Sequence, residues 1–317
     1  MIASRTLEKT GHSIILLSGW RMQILCISAG ALTALGQAPF HLIAFMAISF
    51  PVFVFLLDGA VAAPGKRGLA ALMPAFWRGW LFGFGYFVAG LWWLGSAFLV
   101  NADRFAALLP LGVIALPAAL AFFYAFAALI ARMFWTTGYR RIVVLAASFA
   151  LIEWLRTFIL TGFPWNSLGY LLAINDTLMQ AMALTGTHAY TFFAVLIFAS
   201  PALFGDSPDD HALRQAKRGQ RGRATFLSLV VILLCAIVGY GLLRLQNAPP
   251  IATLDDETNV TSVDDVVLRV VQPNILQKDK FKPEKAREIL DRHLNLSRRI
   301  TGPEDLGLLQ TTHLIWP

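Results

Sequence analysis

The distribution of charge along the chain constrains the fold more than any other feature. Of 45 Lys, Arg, Asp and Glu residues, 20 fall in residues 251–317. The first 250 residues carry 25, of which 8 are acidic, and long apolar runs separate them. A water-soluble domain would have about a quarter of its residues charged. This chain has 14%, with a mean hydropathy of +0.62. The first part therefore reads as an α-helical multi-span membrane domain, and the second as the start of a soluble α/β domain.

A helix needs about 20 apolar residues to cross a hydrocarbon core of about 30 Å. Seven runs are candidates: 22–36, 40–58, 75–100, 106–131, 141–160, 176–204 and 225–244. The first is short and could extend back to Ser13, past Arg21. The sixth could be split at Gly186. No pattern of a removable signal peptide precedes the first run, so it is expected to be retained.

Basic residues alternate between loops. They occur at Arg5, Lys9 and Arg21, at Lys66, Arg67 and Arg78, at Arg132, Arg140 and Arg141, and from Arg214 to Arg223. The intervening loops are poor in them. Basic loops stay in the cytoplasm, which predicts a cytoplasmic N-terminus and an external segment after Arg244. The net charge of +7 thus reflects membrane orientation and does not indicate nucleic-acid binding. Cys26 and Cys235 both lie in apolar runs and are expected to be buried among helices, away from any base. The six histidines show no ligand spacing, so neither a metal nor a cofactor is implied.

Glu153 is the carboxylate that falls inside a predicted span rather than at its end. A charge at mid-bilayer costs about 2.5–3.5 kcal/mol on insertion scales, so it needs a partner, a cavity or a function. Arg156, three residues on, shares its helix face. Two readings stand at this point. Glu153 could anchor a loop or a lipid headgroup near the outer surface, or it could form a self-satisfied pair with Arg156. The following segment, Gly162-Phe163-Pro164-Trp165-Asn166-Ser167-Leu168-Gly169-Tyr170, contains a proline that excludes a regular helix. Trp165 and Tyr170 favour the membrane interface. The segment reads as a loop or re-entrant turn at the outer surface, or as a simple aromatic belt.

In the polar part, Val266 to Gln272 is a β-branched run stopped by Pro273, a strand pattern. Pro283-Glu284 opens a helix whose apolar face is predicted as Ala286, Ile289, Leu290, Leu294 and Leu296. His313 to Trp316 starts a second strand. One βαβ unit cannot cover both faces of a parallel sheet, so residues 251–317 are expected to be partly disordered. Residues 247–265, with Pro249, Pro250 and Asp255-Asp256-Glu257, read as a mobile linker.

With these residues in hand, the chain resembles the apolipoprotein N-acyltransferases, bacterial inner-membrane enzymes of the nitrilase superfamily. Four segments carry the likeness. They are Leu35-Gly36-Gln37-Ala38-Pro39-Phe40-His41; Gly83-Phe84-Gly85-Tyr86-Phe87 with Trp92-Trp93; Glu153-Trp154-Leu155-Arg156 with Thr161 to Trp165 and Gly169-Tyr170; and Val271-Gln272-Pro273-Asn274-Ile275 with Leu314-Ile315-Trp316-Pro317.

The resemblance implies eight spans with a periplasmic nitrilase-like (CN hydrolase) domain between the last two. It divides this chain into a membrane domain (1–246), a linker (247–265) and the first part of that domain (266–317). It implies acyl transfer from a phospholipid to the N-terminal amine of a diacylglyceryl-cysteine lipoprotein, through a cysteine thioester with a glutamate base and a stabilising lysine. In the family the Trp-Pro pair runs directly into that glutamate. No catalytic residue is therefore expected before Pro317, and this chain alone is expected to be inactive. The candidate lipid- or substrate-site residues are Glu153, Arg156, Pro164, Trp165, Gln272, Asn274, Lys280 and Phe281. Phe281 stands where the family usually has tryptophan. The partners expected are the phospholipid donor, the lipoprotein acceptor and the membrane, with the protein as a monomer. The alternatives are a non-catalytic lipid-binding scaffold and a small-molecule transporter.

Overall fold

The computed structural model describes residues 2–100, 102–159, 162–206, 213–248, 266–277, 279–303 and 305–317. The chain divides into two compact units, Met1–Gly95 with Ala107–Asn247, and Ser96–Ala106 with Ala248–Pro317. The helices run in order as α1 (Ile2–Ile15), α2 (Gly19–Ala34), α3 (Met46–Asp58), α4 (Leu69–Leu91), α5 (Gly95–Leu99), α6 (Ala102–Phe105), α7 (Leu116–Met133), α8 (Tyr139–Arg156), α9 (Asp176–Met179), α10 (Met182–Ala199), α11 (Leu213–Gln246) and α12 (Ala286–Arg298).

Among the described residues, four helical stretches are long and apolar enough to cross a membrane: Leu69–Leu99, Ala102–Met133, Met182–Gly205 and Arg221–Gln246. A fifth is reached if the bent pair Glu8–Ile15 and Gly19–Ala34 is taken as one span. The α3 segment is a shorter apolar helix. Helix α8 carries Arg140, Arg141, Glu153 and Arg156, so apolarity alone does not select it.

The helix of the first predicted span extends back past Arg21 to Gly19, where the chain bends sharply. Helices α1 and α2 meet at an angle of 119° across Leu16–Ser18. Ser18 is extended, and Gly19 adopts φ +63°, a left-handed geometry that glycine tolerates and most residues do not. The break predicted at Gly186 is present, at φ 77° and ψ 169° inside α10.

Helix α3 forms the centre of the first unit. Phe50, Phe53, Val54, Leu56 and Leu57 are fully buried, and Phe53 stacks on Phe82 of α4 at 4.1 Å. Helix α4 packs on α7 along one side and on α2 along another, while α8 packs between α7 and α10. Small residues permit this close approach. A Cβ on Gly83 would meet the Tyr124 Cβ at 2.8 Å, and one on Gly85 would strike the carbonyl of Ile27.

One end of this unit is tied by arginines. Arg141, at the start of α8, is 4% exposed. It donates to both oxygens of Asp206, at 3.0 and 2.5 Å, and lies 3.5 Å from Asp58 at the end of α3. Trp135 Nε1 also donates to Asp58, at 2.8 Å. Arg78 and Arg132 donate to the carbonyls of Leu56 and Leu57, a cationic cap where the helix dipole is negative.

In the second unit, β1 (Leu268–Val270) pairs in parallel with β2 (His313–Ile315), with Leu268 opposite His313 and Val270 opposite Ile315. Helix α12 lies between them in the chain. The described parts of residues 266–317 form a hydrogen-bonded βαβ unit. Side chains tie it further: Arg269 pairs with Asp305 at 2.8 Å, and Trp316 Nε1 donates to the Ser297 hydroxyl at 3.0 Å. The inward face of α12 is displaced from the predicted one. Ser297 is buried and Ile289, His293, Leu294 and Leu296 are half-buried, whereas Ala286 and Leu290 are exposed. His293 meets the Trp316 ring at 4.9 Å in a tilted contact, on the side of the helix that faces inward. Of the predicted linker, residues 249–265 lie outside the described residues.

Two predictions follow from this packing. Arg141→Met leaves two half-buried carboxylates without their cation and costs about 2–3 kcal/mol, which thermal unfolding in detergent reads directly. A loss below about 0.5 kcal/mol would mean that the cluster behaves like a surface pair. The second concerns Asp305. The Thr301 hydroxyl, then Arg269 and the Thr301 and Gly307 amides, hold its carboxyl far below the usual range. Its folded value lies below the unfolded one of about 3.9, so its stabilisation is complete above that pH and is lost as pH falls toward the folded value. Amide protection factors over residues 299–309, which correct for the intrinsic pH dependence of exchange, are expected to fall on acidification below about pH 4. Asp305→Asn should flatten that dependence.

Candidate functional site

The other end of the first unit is organised around one carboxylate. Glu153 is 1% exposed, and its oxygens accept from elements far apart in the chain. Tyr124 of α7 donates its hydroxyl at 2.9 Å. Thr191 of α10 donates at 2.5 Å. Ser167 Oγ donates at 2.6 Å, and the Leu168 N–H donates at 3.0 and 3.1 Å to the two oxygens. Arg156, also 1% exposed, lies 3.5 Å away. The pair predicted from spacing is therefore present, but it is the longest of the contacts to Glu153. The shorter contacts come from neutral donors, which satisfy a carboxylate that cannot reach water.

Arg156 faces the same loop. Its Nη1 donates to the carbonyl of Trp165 at 2.8 Å, and its guanidinium lies 5.3 Å from the ring centre of Phe87. The loop is held from other sides as well. Gln37 donates to the carbonyl of Ser167 at 2.9 Å and to the Tyr86 hydroxyl at 2.7 Å. Tyr86 in turn donates to the carbonyl of Asn166 at 2.9 Å. The Asn166 amide donates to the Gly90 carbonyl at 3.2 Å, and the Gly169 N–H donates to Thr191 at 3.1 Å. Irregular backbone at membrane depth requires this kind of internal satisfaction.

The sequence supplies the loop's shape. Pro164 ends helical continuation, and Gly162 takes φ +85° where a Cβ would strike the carbonyl of Thr157. Asn166 takes φ +52°, a conformation that asparagine accepts more readily than most residues. With the backbone pinned, the aromatic side chains point outward. Trp165 is 48% exposed, lies 5.2 Å from Trp93 and 5.5 Å from Phe163.

The predicted site residues thus fall into two groups. Glu153, Arg156, Pro164 and Trp165 come together in the first unit. Gln272, Asn274, Lys280 and Phe281 are exposed in the second, where Asn274 has φ +51° and Phe281 is 84% exposed. Gln37, Tyr86, Tyr124 and Thr191 were not singled out as site residues. Their signal was available: a buried carboxylate needs donors, and these are polar groups within or beside apolar spans. Cys26 is fully buried as expected, but Cys235 is exposed on α11, because the face of that helix carrying it has no helix packed against it among the described residues. No group of three or more His, Cys, Asp or Glu able to hold a metal occurs among the described residues.

The family model described as the apolipoprotein N-acyltransferase N-terminal domain matches residues 29–200. This chain belongs to that family. The matched range contains every residue of the Glu153 network. Relatives named apolipoprotein N-acyltransferase align over nearly the whole chain. One from Brucella suis is 44% identical over 304 residues, covering 96% of this chain and 53% of the relative. One from Rhizobium etli is 42% identical over 312 residues, covering 98% and 54%. One from Agrobacterium fabrum is 40% identical over 311 residues. The chain spans about half the length of the curated relatives it matches. As a member of the acyltransferase family with several long apolar helices, it is a membrane protein.

If the network holds the loop, its removal is measurable. Glu153→Ala leaves Arg156 uncompensated and the Leu168 amide unpaired, at a cost of about 3–5 kcal/mol. Limited proteolysis between Gly162 and Tyr170 is expected to accelerate in parallel. Wild-type cleavage together with a loss under about 1 kcal/mol would refute the role assigned to the carboxylate.

Proposed function

We propose that this chain forms the membrane half of an N-acyltransferase that moves an acyl chain from a phospholipid to the N-terminal amine of diacylglyceryl-cysteine in lipoproteins. One observation carries the reading: nearly the whole chain aligns with relatives of that name at 40–44% identity. The membrane part holds and presents lipid, and the Glu153 network fixes the loop over which the lipid enters. Trp165, Trp93 and Tyr170 sit on that loop's outward side, where interface-seeking aromatics belong.

The chemistry of the family proceeds by a cysteine thioester with a glutamate base. Among the described residues no such pair occurs. Cys26 is sealed in the core, and Cys235 has no neighbouring base among the described residues. By this reading the chain alone is inactive. The βαβ unit at 266–317 is the beginning of a nitrilase-like domain, with Gln272, Asn274, Lys280 and Phe281 on its substrate side. The protein acts as a monomer.

The proposed topology is seven crossings of the bacterial inner membrane, with a cytoplasmic N-terminus and a periplasmic segment after Arg244. The positions of the charges support it. Helix α1 packs against α3 and against the 3-10 turn Ser200–Gly205. The N-terminal segment lies at the arginine-tied end, and the tendency of basic residues to stay in the cytoplasm supports the cytoplasmic reading for that end. Glu153 and its loop lie about 18 Å along α8 from Arg141, at the opposite end.

A chimera tests the function. The half of the Brucella suis relative that this chain matches is replaced by residues 1–317, and N-acylation of a diacylglyceryl-cysteine peptide is followed by mass spectrometry. Transfer at a rate within about tenfold of the parent is expected. A folded, membrane-inserted chimera that transfers nothing would overturn the proposal.

A further inference from the structure

Within the Glu153 network lies a cavity of about 120 Å³, walled in part by Glu153, Arg156, Thr187, His188, Pro164 and Tyr170. Two residues of this wall each carry a buried polar atom with no partner, Nε of Arg156 and Nδ1 of His188. Each such orphan costs about 1–3 kcal/mol if nothing meets it. Arg156 is 1% exposed and uses Nη1 on the Trp165 carbonyl and Nη2 on Glu153. A guanidinium has five N–H donors, so a side chain this deeply buried is under-satisfied. Glu153 does not relieve the deficit, because its oxygens are occupied by Tyr124, Ser167, Leu168 and Thr191.

We propose that the cavity is an oxyanion site, taking a phosphate-type group between Arg156 and His188. One group with two acceptor oxygens satisfies both orphans, and although Glu153 lines the same cavity, the four donors on its own oxygens offset its charge and leave Arg156 to meet an anion. The volume admits a phosphodiester or a free phosphate and excludes a whole glycerolipid. A lipid would place its headgroup inside and leave its chains outside, along Trp165 and Tyr170. The inference rests on the lipid-presenting role proposed above only for the choice of that source.

The test uses the full chain purified in phosphate-free maltoside detergent. Thermal unfolding is followed against added phosphatidylglycerol, diacylglycerol with the same chains, and inorganic phosphate. Phosphatidylglycerol at saturating concentration is expected to raise the midpoint by about 2–4 °C, and diacylglycerol to leave it unchanged. A response to inorganic phosphate alone supports the oxyanion site and assigns the source as free anion. His188→Leu is expected to weaken the apparent affinity about tenfold, the loss of one charge-assisted contact. Arg156→Lys, which keeps the charge but removes the Nε donor, should do the same if it folds. No response to either phosphate source, an equal response to diacylglycerol, or a wild-type response in His188→Leu overturns the site. Acyl transfer by the chimera is read separately, so transfer without an anion response sinks this inference and leaves the proposed function standing.

Discussion

The first unit depends on satisfying one carboxylate without water. A charge in a membrane helix is tolerable only when the rest of the fold supplies its hydration shell. Around Glu153 that shell is made of two hydroxyl-bearing helices, a loop hydroxyl, a loop amide and an arginine. Each donor is positioned by packing elsewhere. Tyr124 stands correctly because Gly83 lets α4 come close to α7, and Thr191 because Gly169 lets the loop lie against α10. The geometry of the loop is thus set by the helix core beneath it.

Helix α8 links the two polar ends of the unit. It starts at Arg141, which ties α3 and the Asp206 turn, and ends at Glu153 and Arg156, which tie α7, α10 and the loop. Helices resist compression and bending over this length, so the separation of the two polar ends is set by the helix rise. The aromatic residues at one end and the arginines at the other mark opposite membrane faces in the proposed topology.

Much of this was legible in sequence, and the reasons differ by element. The apolar runs located the helices of the first unit because hydrophobicity over about 20 residues is a strong signal. Pro164 and Gly162 announced the loop because they restrict or relax the backbone locally. The Glu153–Arg156 pair followed from helical spacing. What the sequence did not reveal was which partners matter. Tyr124 and Thr191 lie 29 and 38 residues from Glu153, and only the tertiary packing brings them to it. The sharp bend before α2 depends on the backbone of Ser18 and Gly19, which hydropathy does not register. In the second unit the strand and helix pattern was readable, but the face of α12 was not, because the Trp316 ring that it meets comes 18 residues after that helix ends.

The Glu153 network also bears on how the protein is made. Tyr124 precedes α8 in the chain, whereas Ser167, Leu168 and Thr191 follow it. When α8 leaves the ribosome, its carboxylate has one hydroxyl and one arginine to satisfy it, and most of its final donors have not yet emerged. Insertion scales charge about 2.5–3.5 kcal/mol for each such group left in the bilayer. Helix α8 therefore cannot partition as an independent unit. It must wait beside α7, at the insertion machinery or at the membrane surface, until α10 arrives and the loop closes over it. The full set of hydrogen bonds to Glu153 can therefore form only after Thr191, 38 residues further on, has emerged.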